Sequence, residues 1–207
     1  MNDIEKLTEF FTKFPGIGPR QARRFVFFML TRSNAWKHEF IKTIQSLEQS
    51  TAQCHLCKRF ADSLSSNLCT ICADTKRDIT TLVVVEKDVD VEAIEKSGLY
   101  NGVYFVLGGT FSFSQNKKRF VRDEDLYAHI KKYSTHTDAD RTLSEVILAL
   151  SATTEGEYTT EVLKDKIREI APSVRVTLLG RGLSTGSEIE YADSNTIKHA
   201  LNNRFKL

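Results

Sequence analysis

The stretch Thr80–Leu107, TTLVVVEKDVDVEAIEKSGLYNGVYFVL, decides the fold. Thr80–Val85 and Val103–Leu107 are short apolar runs of strand length, rich in valine, and between them Val91–Lys96 has helical spacing. Working outward, the alternation continues: a helix near Glu124–Tyr133, a strand at Val146–Leu150, a helix over Glu161–Ile170 and a strand over Val174–Leu179. Strands alternating with helices in this way predict a parallel α/β sheet. Asp193 or Ser194 can cap a last helix, Thr196–Asn203.

On the amino-terminal side the period changes. Ile4, Leu7, Phe10, Phe11 and Phe14 recur at helical spacing, and Pro15-Gly16-Ile17-Gly18-Pro19 then breaks the helix. Pro19 suits a first helical position, and Ala22, Phe25, Val26, Met29 and Leu30 continue as the apolar face of a second helix. A third is predicted from about Ala35 to Gln49, carried by Trp36, Phe40, Ile44 and Leu47. There is no internal repeat and no low-complexity tract.

Composition bounds the rest. With 207 residues, 41% hydrophobic and 27% charged, the chain has the make-up of an ordinary globular protein. Its first residues, MNDIEKLTEFF, are acidic where a secretory signal is basic, and no later run reaches membrane-spanning length, so a cytoplasmic protein is expected. Net charge is +2, but residues 1–53 carry 8 Lys/Arg against 5 Asp/Glu while residues 79–195 carry 14 against 19. Basic ends around an acidic middle assign different partners to different parts, with nucleic acid the candidate for the basic ones.

All four cysteines lie in one short segment. Cys54-His-Leu-Cys57 and Cys69-Thr-Ile-Cys72 are two Cys-x-x-Cys knuckles, and two such turns supply the four thiolates of a closed tetrahedral zinc site. One structural Zn2+ per chain is the expectation. The segment holds too few large apolar residues to fold without such a staple. His55 is left out, because four sulfurs satisfy zinc already.

Phe14-Pro-Gly-Ile-Gly-Pro-Arg20, joining two amphipathic helices, resembles the hairpin of a helix-hairpin-helix DNA-binding unit. Gly16 and Gly18 let the backbone approach a phosphate, the second helix presents amides and the favourable end of its dipole, and Arg20, Arg23 and Arg24 add charge without reading bases. Glu86 follows Thr81–Val85 at a strand's carboxyl end, where open parallel sheets place their sites. With Asp88 and Asp90 it invites comparison with the Toprim fold, whose acids hold magnesium. A catalytic Toprim carries Asp-x-Asp at a different strand end, whereas Asp88-Val-Asp90 lies directly after Glu86 and starts the next helix, and Ser-Ala-Thr-Thr-Glu155-Gly156-Glu157 after Val146–Leu150 contains no such pair. A solvated or partner-binding acidic edge is therefore favoured over catalysis. Gly108-Gly109-Thr110 lacks the Gly-Lys-Ser/Thr ending of a nucleotide P-loop, and His38 and His129 belong to no catalytic constellation.

In order, the hairpin PGIGP, the four-cysteine knuckles, the stretch from Thr81 to Gly109, EGEYTTEVL and VTLLGRGLSTGSEIEYADSNTIKHAL resemble the RecR family of bacterial recombination mediators over essentially the whole chain. The resemblance implies a helix-hairpin-helix domain over 1–53, a four-cysteine zinc finger over 54–72, a Toprim-like parallel α/β domain without catalytic activity over 79–172, and a carboxyl-terminal segment over 173–207 that helps build a ring-shaped dimer or tetramer around DNA. It implies RecO and RecF as partners in loading the recombinase on single-stranded DNA. Arg20 and Arg24 match the family's basic hairpin residues, Cys54, Cys57, Cys69 and Cys72 its zinc ligands, and Glu86 its Toprim glutamate. The chain departs from the family pattern at Ser112-Phe113, at Gly182-Leu183-Ser184 and in the basic stretch Ser114–Arg122. The rival expectation, from the Toprim likeness, is a magnesium-dependent nuclease, primase or topoisomerase-like enzyme.

Overall fold

The computed structural model describes residues 1–62, 67–112, 121–135 and 141–204, so most of the basic stretch Ser114–Arg122 lies outside the described residues. The chain divides into two compact units, Met1–Ala52 and Gln53–Leu207.

The first unit is three helices. In α1 (Asp3–Thr12), Asn2 and Glu5 cap each other's amides, each at 2.9 Å. Pro19 begins α2 (Pro19–Leu30) after the turn that the two prolines and two glycines impose. The third, α3 (Asn34–Ser50), starts where the Ser33 hydroxyl accepts the Trp36 amide at 3.2 Å. Ala22 and Val26 are buried, and the Phe11 ring meets Phe25 edge-on at 5.7 Å. The expected apolar faces are only partly covered. Leu30, Phe10 and Phe14 are exposed, and no α3 residue is buried, with Ile44 at 55% and Leu47 at 59% exposure. Three short helices have too much surface for their volume to cover every apolar stripe.

Across the division at Ala52 runs a ribbon that periodicity did not reveal, β1 (Thr51–Gln53) paired with β2 (Phe60–Asp62), and one short turn of helix, α4 (Thr70–Ala73), follows. The predicted alternation follows: β3 (Asp78–Val85), α5 (Asp88–Ser97), β4 (Gly102–Val106), α6 (Asp123–Ser134), β5 (Glu145–Ala149), α7 (Thr154–Ile170) and β6 (Arg175–Leu178). The four strands form one parallel sheet in the order β4-β3-β5-β6. A short 3-10 turn at Ile189–Tyr191 leads to α8 (Ser194–Asn202), whose cap is Asp193, accepting the Asn195 and Thr196 amides.

Because side chains alternate along a strand, each strand serves two cores. Leu82, Val84, Phe105, Val146 and Leu148 face Leu126 and Ile130 of α6 and Leu163 and Ile167 of α7. Val83, Val85, Tyr104 and Val106 face the other way, against Val91 of α5 and against Cys54, Cys57, Cys69 and Ile71. Each fully buried aliphatic or aromatic side chain contributes about 1.5–3 kcal/mol of transfer free energy. The sheet is thereby covered on both faces, as a parallel sheet requires.

Helix α7 begins earlier than its apolar spacing predicts, because its first turns bury threonines rather than aliphatics. Thr159 and Thr160 donate back to the carbonyls of Glu155 and Gly156, at 2.6 and 2.8 Å, which satisfies their hydroxyls inside the core. Gly156 is required there, since a Cβ would collide with the Ser151 carbonyl.

A polar clamp fixes α5 to the sheet edge. Arg77 donates from both terminal nitrogens to Glu95, and the Tyr104 hydroxyl donates to the same carboxylate at 2.6 Å. The guanidinium bonds, reinforced by Tyr104, hold Glu95 below the usual carboxylate range. A carboxylate with a depressed folded pKa contributes stability above its unfolded value, about 4.3, and loses that contribution as pH falls toward the folded value. Thermal melting from pH 7 to pH 3 should therefore show a steeper acid loss in the wild type than in Glu95→Gln. Equal slopes would mean the clamp carries no pH-dependent stability.

Candidate metal centre and nucleic-acid interface

The knuckles converge. The sulfurs of Cys54, Cys57, Cys69 and Cys72 all lie within 4.8 Å of one another, with Cys57 Sγ and Cys69 Sγ 3.6 Å apart. Zinc bonded at about 2.3 Å in a tetrahedron separates its sulfurs by about 3.8 Å, so the donor set fits a metal of that size. Local backbone geometry aims the sulfurs. Lys58 adopts a left-handed conformation (φ +62°) just after the first knuckle, and its amide donates to the Cys54 carbonyl at 3.0 Å. Asn67, also at φ +62°, stands just before the second knuckle and accepts the His55 amide at 3.0 Å. The Cys69 amide donates to Cys54 Sγ at 3.4 Å.

Crowding splits the acidities of these thiols. Hydrogen bonds from the other sulfurs, Cys57 first, lower Cys54, while the same kind of contact, with Cys54 first, raises Cys72. A central cation removes that conflict by taking all four as thiolates. The four cysteines are thus positioned to bind a metal ion, with no position left open for substrate. Nor is the cluster a free-standing finger, since the Val106 amide donates to the Cys57 carbonyl at 2.8 Å and three of the cysteines belong to the sheet's second core.

Glu86 stands at the carboxyl end of β3, 8% exposed. The strand order reverses direction between β3 and β5, and open sheets place their crevices at such a point. Across it the Ser151 hydroxyl donates to Glu86 Oε2 at 2.6 Å, and Lys87 Nζ lies 3.1 Å from Oε1. Asp88 and Asp90 do not join this carboxylate. Asp88 accepts the Phe60 amide at 2.7 Å, and Asp90 accepts the Lys87 amide at 2.8 Å, capping α5. Ser151 was not singled out in the sequence, although its position directly after a predicted strand marks it.

In the first unit Gly16 has φ +75°, a conformation that favours glycine. Gly18 is the N-cap of α2, with no side chain to cap the first turn, so its amides remain for solvent or an anion. Open space surrounds the Cα of both glycines. Arg20, Arg23 and Arg24 are exposed, and among the described residues none has an acidic partner; Arg24 reaches only Gln21 Oε1, at 3.3 Å.

A parallel Toprim-type sheet carrying a four-cysteine metal cluster defines the class. Residues 80–179 match the family model described as Toprim domain, and residues 182–204 match the RecR C-terminal model. The chain is similar to the recombination protein RecR of Dehalococcoides mccartyi, 36% identical over 97% of this chain and 93% of the relative. It is similar to that of Lactococcus lactis subsp. lactis, 36% identical over 99% and 97%, and to that of Streptococcus pyogenes, 38% identical over 99% and 97%. It belongs to the RecR family of recombination proteins.

Replacing Cys57 by serine removes one of the four sulfurs from a buried cluster. The variant should lose bound metal and be destabilised by about 4 kcal/mol or more, the range that marks loss of a metal site. Metal content and thermal unfolding of purified protein check this. Metal-free wild type that melts like the variant would overturn it.

Proposed function

We propose that the protein is a DNA-binding recombination mediator that contacts phosphates through its amino-terminal hairpin and is not an enzyme. The observation that carries this reading is the uncapped start of α2, where Gly16 and Gly18 bring the backbone to the surface beside Arg20, Arg23 and Arg24 without ion partners. Backbone amides and arginines together recognise phosphate and not sequence. Membership of a recombination family supports the same conclusion.

In this reading residues 1–53 bind DNA, and residues 54–72 hold one structural Zn2+ through Cys54, Cys57, Cys69 and Cys72. Residues 79–172 present Glu86 to RecO- and RecF-type partners, and residues 173–207 help close a homo-oligomer that acts in the cytoplasm to load recombinase on single-stranded DNA. The exposed apolar side chains of α3, and those of Leu178, Ile189, Tyr191 and Leu201, support self-association. The enzyme alternative is disfavoured because Asp88 and Asp90 are engaged with backbone amides and Ser151 faces Glu86 where a second acid is needed.

Two measurements test this. Wild-type DNA affinity should fall steeply with salt, each phosphate contact contributing a slope of about −0.9 on duplex or −0.7 on a single strand. Arg20→Glu with Arg24→Glu should bind more weakly and with a shallower slope, with circular dichroism and solution mass unchanged. An unaltered affinity and slope in that variant would exclude the hairpin as the contact. Separately, pure protein with magnesium should neither cleave DNA nor synthesise primers. Activity lost in Glu86→Ala would move the assignment to the Toprim enzyme.

A further inference from the structure

One face of the first unit carries more than charge. Thr8, Pro19, Arg20, Arg23, Arg24 and Phe27 line a groove of about 500 Å³ between α1 and α2. Residues 20, 23, 24 and 27 fall on successive turns of one helix face, so the arginines and the Phe27 ring form a single stripe about 10 Å long.

Phe27 is 49% exposed, like several rings of this chain, but it alone among them lies in the groove with the three arginines. Its neighbour Phe28 is equally exposed but already engaged: the Arg32 guanidinium sits 4.0 Å over its ring, and Trp36 meets it edge-on at 6.0 Å. Among the described residues no ring and no cation packs on Phe27. A bare aromatic face bordered by three cations without acidic partners is complementary to a ligand with flat apolar faces joined by anions. A single nucleic-acid strand has that chemistry. A duplex does not, because its base faces are already buried against one another, and only an unpaired base can stack on a side chain.

We infer that this groove is a single-strand site, in which a DNA base stacks on Phe27 while the adjoining phosphates rest on Arg20, Arg23 and Arg24. This deepens the DNA-binding reading above and rests on it. The arginines give affinity for either form of DNA, and the phenylalanine adds a contribution that only the unpaired form receives. The hairpin amides hold the backbone at one end of the same stripe.

The experiment uses the full-length, metal-replete protein, with a thymidine oligonucleotide and a duplex of equal length titrated across a salt series. Phe27→Ala should weaken single-strand binding about tenfold, leave duplex binding unchanged and keep the salt slope of the wild type, because no charge is removed. Phe27→Trp, which restores a stacking face, should recover or exceed wild-type single-strand affinity. Arg20→Glu with Arg24→Glu should weaken both forms. Equal losses on both forms in Phe27→Ala, or no loss on either, would overturn the stacking site while leaving the DNA-binding reading in place. Wild-type protein that binds no DNA at low salt would overturn both. A change of solution mass in Phe27→Ala would assign the ring to contact between copies of the chain and so overturn the inference. Circular dichroism of both Phe27 variants controls for folding, which a half-exposed side chain should not disturb.

Discussion

The hydrogen bond from the Val106 amide to the Cys57 carbonyl makes the metal cluster and the sheet one structure. Val106 ends β4, so this bond extends the sheet's edge into the first knuckle. The cysteines then do what aliphatic side chains do elsewhere: they cover Val83, Val85, Tyr104 and Val106 on the face that α5 alone is too short to close. A buried sulfur cluster is a poor cover unless its charge is held. The second core therefore depends on how these four sulfurs are held in a way that the first, closed by α6 and α7, does not.

From that dependence follows the arrangement of the acids. Phe60 closes the ribbon formed by β1 and β2, and its amide is held by Asp88, the first residue of α5. Asp90 closes the same helix start from the other side through the Lys87 amide. Asp88 thus ties the knuckle segment to α5 while Asp90 caps that helix, and both sit at a helix start where the dipole favours them. Glu86, left at the strand end, has a hydroxyl and an ammonium as its partners among the described residues.

Legibility in the sequence followed how directly a residue's neighbours along the chain determine its surroundings. The strands of the sheet were plain because β3 and β4 are apolar on both faces, and the cysteine knuckles because ligand spacing is local. The start of α7 was hidden: Gly156, Thr159 and Thr160 look polar and turn-like, and they bury only because Gly156 lets the helix close on the Ser151 carbonyl. The ribbon of β1 and β2 was hidden for a similar reason, each strand having three residues of which two are exposed. Of the candidate site, Gly16, Gly18 and the arginines were legible from the hairpin motif. Phe27 was not, because it lies off the apolar stripe of α2 and in no motif, so it stands out only when its exposure is set beside the arginines.

The two faces of α2 carry different side chains. A helix packed on one side needs only a stripe of apolar residues, and Ala22, Phe25, Val26 and Met29 supply it. Phe27 falls outside that stripe, on the side of the arginines, where it adds nothing to the core and leaves a large apolar surface in water. Leaving about half of that ring in water forgoes part of the roughly 1.5–3 kcal/mol that full burial contributes. A ring that the core does not use, beside three arginines with no acidic partner among the described residues, suits the proposed ligand that covers ring and charges together.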